Sequence, residues 1–254
     1  MKIKILQAPA PDFPFAVIYK PKTFASAPIK EDDNDNAFSQ AAEIFPQLLD
    51  IQGRKAIEHG LLHRLDTATD GILLIAASQD FYDYMLSEQE EGRFIKYYKA
   101  SCKAETDNCK ELGGFPEEAQ CLSDWLPNPP APKAISHPFT ISSYFRSYGK
   151  GRKEVRPVTE KSGPAALKKV GKLKLYTTQV CNVKNEKDFF EVECKISQGF
   201  RHQVRCHLAW AGLPIINDPL YNAKSLGTQE ELLFSASAIE FLNPVDKKIL
   251  RFSI

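Results

Sequence analysis

The sequence contains no run of the roughly eighteen apolar residues needed to cross a bilayer. Its start, Met1-Lys2-Ile3-Lys4-Ile5-Leu6, meets Pro9, Pro11 and Pro14 before a signal-peptide core can form. Membrane insertion and export are therefore not expected, and a cytoplasmic location is. Six cysteines occur (Cys102, Cys109, Cys121, Cys181, Cys194 and Cys206), with no Cys-x-x-Cys pair among them. That spacing excludes a zinc ribbon and a thioredoxin-like motif and points to reduced thiols. An excess of one charge is also missing: 33 basic against 32 acidic residues leave a net charge of +1. Bulk charge announces no nucleic-acid partner, so any RNA site has to come from local patches. There is no glycine-rich phosphate cradle, and His63, His202 and His207 lack ligand spacing, so neither a metal nor an organic cofactor is expected. Internal repeats and long low-complexity tracts are absent as well.

With 254 residues, 43% of them hydrophobic, the chain has enough apolar material for one sizeable core or one large domain with a small appendage. A strand is expected at 15–20, closed by Pro21 and carrying Lys20 to its end. Asn36 is placed to cap a helix running from Ala37 toward Leu49, with Pro46 kinking or ending it. The apolar run 71–77 suits a buried central strand, a helical pattern covers 80–91, and 93–104 reads as another strand. Segment 105–164 is rich in proline and is read as an insertion over the core. Two strands at 177–183 and 189–196 form a hairpin, followed by a helix at about 202–211 that Gly212 and Pro214 stop. Strands outnumber helices without regular interleaving, which favours an α+β fold.

Chemistry concentrates at His63-Arg64-Leu65-Asp66, just before a turn and the most hydrophobic strand. A charged loop entering a core strand is a natural place for an active site. Read alone, the tetrapeptide is better explained as a turn that Asp66 caps, with Arg64 an exposed charge. Two further segments follow in order: Lys96-Tyr97-Tyr98 on a strand, and His202-Gln203-Val204-Arg205 opening a helix.

In that order the chain resembles the RluA-type family of pseudouridine synthases, which act on ribosomal or transfer RNA. The stretch from His63 to Gly71 resembles the family's HRLDxxTSG signature, with Asp70 where serine is usual. Lys96-Tyr97-Tyr98 is similar to its KxY element and His202-Gln203-Val204-Arg205 to its HQIR or HQLR element. Ile18-Tyr19-Lys20-Pro21 is similar to the opening NKP strand, and the stretch from Gly212 through Asp218 to Tyr221 to GxPIxGDxxY. A second departure is Gln198-Gly199-Phe200-Arg201, where the family commonly writes TGR: Phe200 replaces a basic residue, with Arg201 beside it.

The resemblance implies a pseudouridine synthase catalytic fold, a mixed and largely antiparallel sheet flanked by helices, with a central cleft. It makes 1–254 a single catalytic domain, since the roughly sixty residues before the HRLD motif are too few for an S4 RNA-binding domain plus the opening strand. Asp66 becomes the catalytic residue, Tyr98 the ring stacked on the target base, Arg205 the partner of the aspartate, and Val204 an aliphatic contact to uracil. Asp66 serves either as a nucleophile at ribose C1′ or as the base that starts an elimination. A neighbouring guanidinium would keep such a carboxylate ionised in a dry pocket. Arg64 either fills the gap left by a flipped uridine or binds phosphate.

The segment 144–156 interleaves aromatics with five basic residues, and Lys150, Arg152, Lys153 and Arg156 are the RNA-contacting candidates. RNA is thus the expected partner, with a monomer and no obligate protein partner as the family default. Two readings of other classes compete: an inactive RNA-binding or chaperone module on the same fold, and a glycosidase, which needs a second carboxylate that no motif supplies.

Overall fold

The computed structural model describes residues 2–30, 32–104, 112–113, 139–171, 173–222 and 231–254. The chain divides into two compact units, one formed by Met1–Tyr97 with Ser235–Ile254 and the other by Tyr98–Phe234.

In the first unit, strands β1 (Lys4–Gln7), β2 (Phe15–Lys20), β3 (Asp70–Ala76) and β9 (Phe234–Leu242, in this unit from Ser235 on) lie side by side, and β10 (Ile249–Ser253) pairs with β9. Pairing is antiparallel except between β3 and β9, which run parallel with Asp70 opposite Ser235 and Gly71 opposite Ala236. All seven residues of β3 are buried, as expected for a near-continuous apolar run in a central strand. Gly71 has φ +131°, and a Cβ there would stand 2.2 Å from the Ala236 carbonyl oxygen, so only glycine fits where these two strands meet. Asn36 caps α1 (Ala37–Ile44) by accepting from the Ser39 N–H at 2.9 Å. Pro46 ends α1 and opens a 3₁₀ turn over Pro46–Asp50. Helix α2 (Gln79–Glu90) places Phe81, Tyr82 and Met85 against Ile72 and Leu74 of β3 and Phe15 of β2.

In the second unit, which takes β4 (Ile95–Cys102) from Tyr98 on, the strand order is β4, β8 (Phe190–Ile196), β7 (Tyr176–Asn185), β5 (Phe139–Tyr148), β6 (Glu154–Val158). The hairpin expected from 177–196 is present as the antiparallel β7–β8 pair. Of the loop-rich segment 105–164, residues 105–111 and 114–138 lie outside the described residues. The part from 139 on is a β-hairpin joined to β7, because Ile141, Ser143 and Phe145 alternate inward along β5. A short helix, α3 (Pro164–Leu167), precedes β7, and α4 (Gln203–Trp210) is buried at every residue. The mixed strands and few helices make this the expected α+β fold.

His207 sits at the centre of this unit, fully buried, with Nε2 2.9 Å from Ser143 Oγ, Nδ1 2.9 Å from Thr178 Oγ1, and its ring on Phe145. Burial brings its pKa down to about 3. A histidine whose folded pKa is depressed stabilises the fold above its ordinary value near 6.5, and that stability is lost as pH falls toward the folded value. Moving from about pH 7.5 to about pH 5.5 is expected to remove about 1.4 kcal/mol through this residue alone. Urea unfolding at the two pH values checks this: His207→Gln should lack that portion of the acid loss, and an identical loss in the variant contradicts the assignment.

Candidate active site

Asp66 stands half-buried on the turn that leads into β3, and both of its neighbours are locked. On one side, the Leu65 N–H donates to Ser26 Oγ at 2.9 Å while that hydroxyl donates back to the Leu65 carbonyl at 2.8 Å. On the other, the Lys20 ammonium donates to the carbonyls of Phe24 at 2.7 Å, Pro21 at 2.9 Å and Thr67 at 3.3 Å. The turn closes with the Thr69 N–H donating to the Asp66 carbonyl at 3.0 Å. The backbone on both sides of this carboxylate is thereby fixed.

Lys20 is fully buried. Burial pulls its pKa down to about 8, opposed by the negative charges of Asp70 and then Asp66. Asp70, the residue that departs from the family signature, is nine-tenths buried and accepts from the Tyr19 hydroxyl at 2.8 Å and from Ser235 Oγ at 2.7 Å. Its charge is therefore solvated by two hydroxyls and lies within Coulombic reach of Lys20. Sequence reasoning singled out Lys20 and Asp70 as parts of motifs but not as a coupled pair beneath the Asp66 turn.

The other members of the first signature divide into structural and exposed groups. His63 accepts the Leu74 N–H at Nε2 over 3.1 Å and meets Phe94 edge-on. Burial first, and the Lys96 charge second, bring its pKa down to about 3, so it pins the loop as a neutral ring. Arg64 is exposed and pairs with Glu58 at 2.8 Å.

In the second unit, Tyr98 is backed by Phe234, with parallel rings 5.2 Å apart. His202, at φ +55°, turns the chain into α4. Gln203 caps this corner fully: its Oε1 accepts from the Phe200 N–H at 2.9 Å, and its Nε2 donates to the Thr177 carbonyl at 3.0 Å and Thr178 Oγ1 at 3.3 Å. Val204 is buried on the first turn. Arg205 grips Asp218 by two parallel bonds, Nε to Oδ2 and Nη2 to Oδ1, both 2.8 Å. Both side chains are at least 95% buried. Asp218 also accepts the N–H groups of Leu220 and Tyr221, and the guanidinium lies over the Tyr221 ring. The resemblance assigned Arg205 the catalytic aspartate as partner; the structure adds Asp218, whose two oxygens take one edge of a five-donor fork. The signal for Asp218 was present in the sequence, in the stretch similar to GxPIxGDxxY, but no role was attached to it.

The basic candidates cluster on one hairpin. Lys150, Arg152 and Lys153 are exposed on the turn between β5 and β6, and Arg156 lies on β6. Phe200, the second departure, packs into the apolar cluster of Phe145 and Tyr176, stacked on Phe145 at 5.0 Å. Arg201 beside it donates through Nη2 to the carbonyls of Arg152 and Glu154. Among the described residues, no group of three or more His, Cys, Asp or Glu side chains is arranged to hold a metal ion.

A sequence profile for RNA pseudouridylate synthase matches residues 14–210. The chain belongs to this family. A Mycoplasma pneumoniae protein described as an uncharacterized RNA pseudouridine synthase is 28% identical over 193 residues, covering 76% of this chain and 50% of that protein. The ribosomal large subunit pseudouridine synthase D of Buchnera aphidicola is 23% identical over 211 residues, covering 76% of this chain and 53% of that protein. The chain thus spans about half the length of these curated relatives. The solved structure of human RNA Pseudouridylate Synthase Domain Containing 1 superposes with a TM-score of 0.60 at 18% identity, covering 100% of this chain and 83% of the human one. That likeness establishes the family's fold.

Proposed function

We propose that the chain isomerises uridine to pseudouridine within RNA, with Asp66 as the acting carboxylate. The observation that carries this reading is the Asp66 turn itself, clamped by Ser26 and Lys20 within the HRLD signature of a synthase-family chain. In the reaction the bond from C1′ to N1 breaks and one from C1′ to C5 forms, the C5 proton leaves, and N1 gains a proton. Asp66 acts at C1′ or as the initiating base. Tyr98 stacks on the uracil, Val204 packs on it, and Arg205, aimed by Asp218, steadies negative charge. Arg64 and the basic hairpin contact the RNA backbone, and the target uridine is flipped to reach Asp66. Ribosomal RNA is the first substrate to test, given the name of the Buchnera relative.

Release of tritium from transcripts labelled at uracil C5 tests this. Release from ribosomal but not transfer RNA is the expected result; no release from either, with binding retained, would instead support the inactive RNA-binding module.

The Lys20–Asp70 pair makes a prediction about pH. Lys20 loses its proton near 8, so activity is expected to decline as pH rises through that value. Asp70 is the larger of the two charges that hold the proton on. Asp70→Asn should therefore move the alkaline limb of the rate profile down by about one unit. Rate profiles of the two proteins check this, and an unmoved limb would show that Lys20 does not control turnover.

A further inference from the structure

The hairpin of β5 and β6 concentrates positive charge on one surface. Its register sets Arg146 directly opposite Arg156, and like charges facing across an antiparallel pair oppose that pairing. Both guanidiniums lie over the ring of Tyr148, 4.9 Å from its centroid for Arg146 and 3.5 Å for Arg156. The exposed tyrosine thereby holds two repelling charges on one platform. Glu154, opposite Tyr148, is the one acid in 139–158, whereas the turn adds Lys150, Arg152 and Lys153.

This platform is tied to the elements that carry the candidate base contacts. The Val155 N–H donates to the Tyr221 hydroxyl at 2.9 Å, and Tyr221 lies beneath Arg205. Arg201, immediately before the corner that opens α4, holds the backbone of Arg152 and Glu154. A ligand seated on the hairpin is thus at a fixed place relative to Val204 and Arg205, all within one unit.

We propose that Arg146 and Arg156, held together on Tyr148, form a clamp for adjacent phosphates of an RNA strand. Guanidinium forks match phosphate oxygens in pairs, and two of them side by side can take neighbouring phosphates of one strand. Such contacts fix register without reading sequence. The clamp rests on the RNA-modifying function proposed above and assigns its positioning surface, including Arg146 and Tyr148.

Binding of a fluorescein-labelled oligouridylate of about a dozen nucleotides to the full chain, titrated with KCl, tests the clamp. Each phosphate contact on a single strand contributes about 0.7 to the slope of log affinity against log salt, so Arg146→Gln with Arg156→Gln should lower it by about 1.4. The double lysine variant should keep the slope while losing affinity, because it retains charge but not the fork. Lys187→Gln, on the exposed β7–β8 turn, should leave the slope near the wild-type value. An unchanged slope in the double glutamine variant, or an equal drop from Lys187→Gln, overturns the clamp alone. Wild-type protein that neither binds the oligonucleotide nor releases tritium from ribosomal or transfer RNA overturns the underlying function as well.

Discussion

Asp66→Asn is expected to reduce isomerisation by at least about a thousandfold, since asparagine offers neither a nucleophilic oxygen nor a base at C1′. The volume of the side chain is nearly unchanged. Three anchors of the turn run through other atoms: Leu65 is held through Ser26, Thr67 through Lys20, and Thr69 through the Asp66 backbone carbonyl. Unfolding should therefore stay cooperative, and RNA affinity should fall by no more than about threefold. Measuring tritium release and RNA binding on the same preparation separates the two effects. Turnover within tenfold of wild type would remove Asp66 from its role, and a parallel collapse of binding would make it an RNA contact.

The largest expected effect on stability lies at Arg205 and Asp218. Arg205→Ala leaves a fully buried carboxylate facing its lost partner, and breaking such a pair costs about 3 to 5 kcal/mol. For a chain of this size that lowers the melting temperature by about 10 °C. Asp218→Asn keeps the acceptor for Leu220 and Tyr221 but strips the charge that aims the guanidinium, so it should lose turnover as well as stability. Combining Arg205→Gln with Asp218→Asn should cost clearly less than the sum of the two single changes, because the interaction is removed only once. Additive losses, or an unchanged melting temperature in Arg205→Ala, would mean that the pair carries little of the fold.

The HRLD signature was legible because it is contiguous: its four residues follow one another along the loop that enters the turn before β3, and Asp66 opens that turn. The same holds for the Asn36 cap, the helix-ending Pro46 and the apolar run of β3. Partnerships across the chain were not legible. Asp218 lies 13 residues beyond Arg205 and Asp70 lies 51 beyond Tyr19, and nothing in the local pattern of either segment names its partner. Strands β5 and β6 escaped notice because the prolines at 127, 129, 130, 132, 138 and 157 dominate their surroundings. The period-two burial of Ile141, Ser143 and Phe145 uses a serine at an inward position, which hides the alternation. That serine is inward because His207 needs a hydrogen-bonding partner, a demand set by a helix 64 residues away. Phe200 and Asp70, read from sequence as departures, have physical reasons in the fold: one fills an apolar cluster, and the other balances a buried lysine.

Nucleoside analysis of ribosomal RNA transcript after incubation with the protein tests the central claim most directly. The account predicts that each uridine lost is matched by one pseudouridine, with no free uracil, and that the Asp66→Asn protein leaves the composition unchanged. Free uracil in place of pseudouridine would mean that the carboxylate cleaves the glycosidic bond without rejoining it, and unaltered uridine in both reactions on ribosomal and transfer RNA would contradict isomerisation.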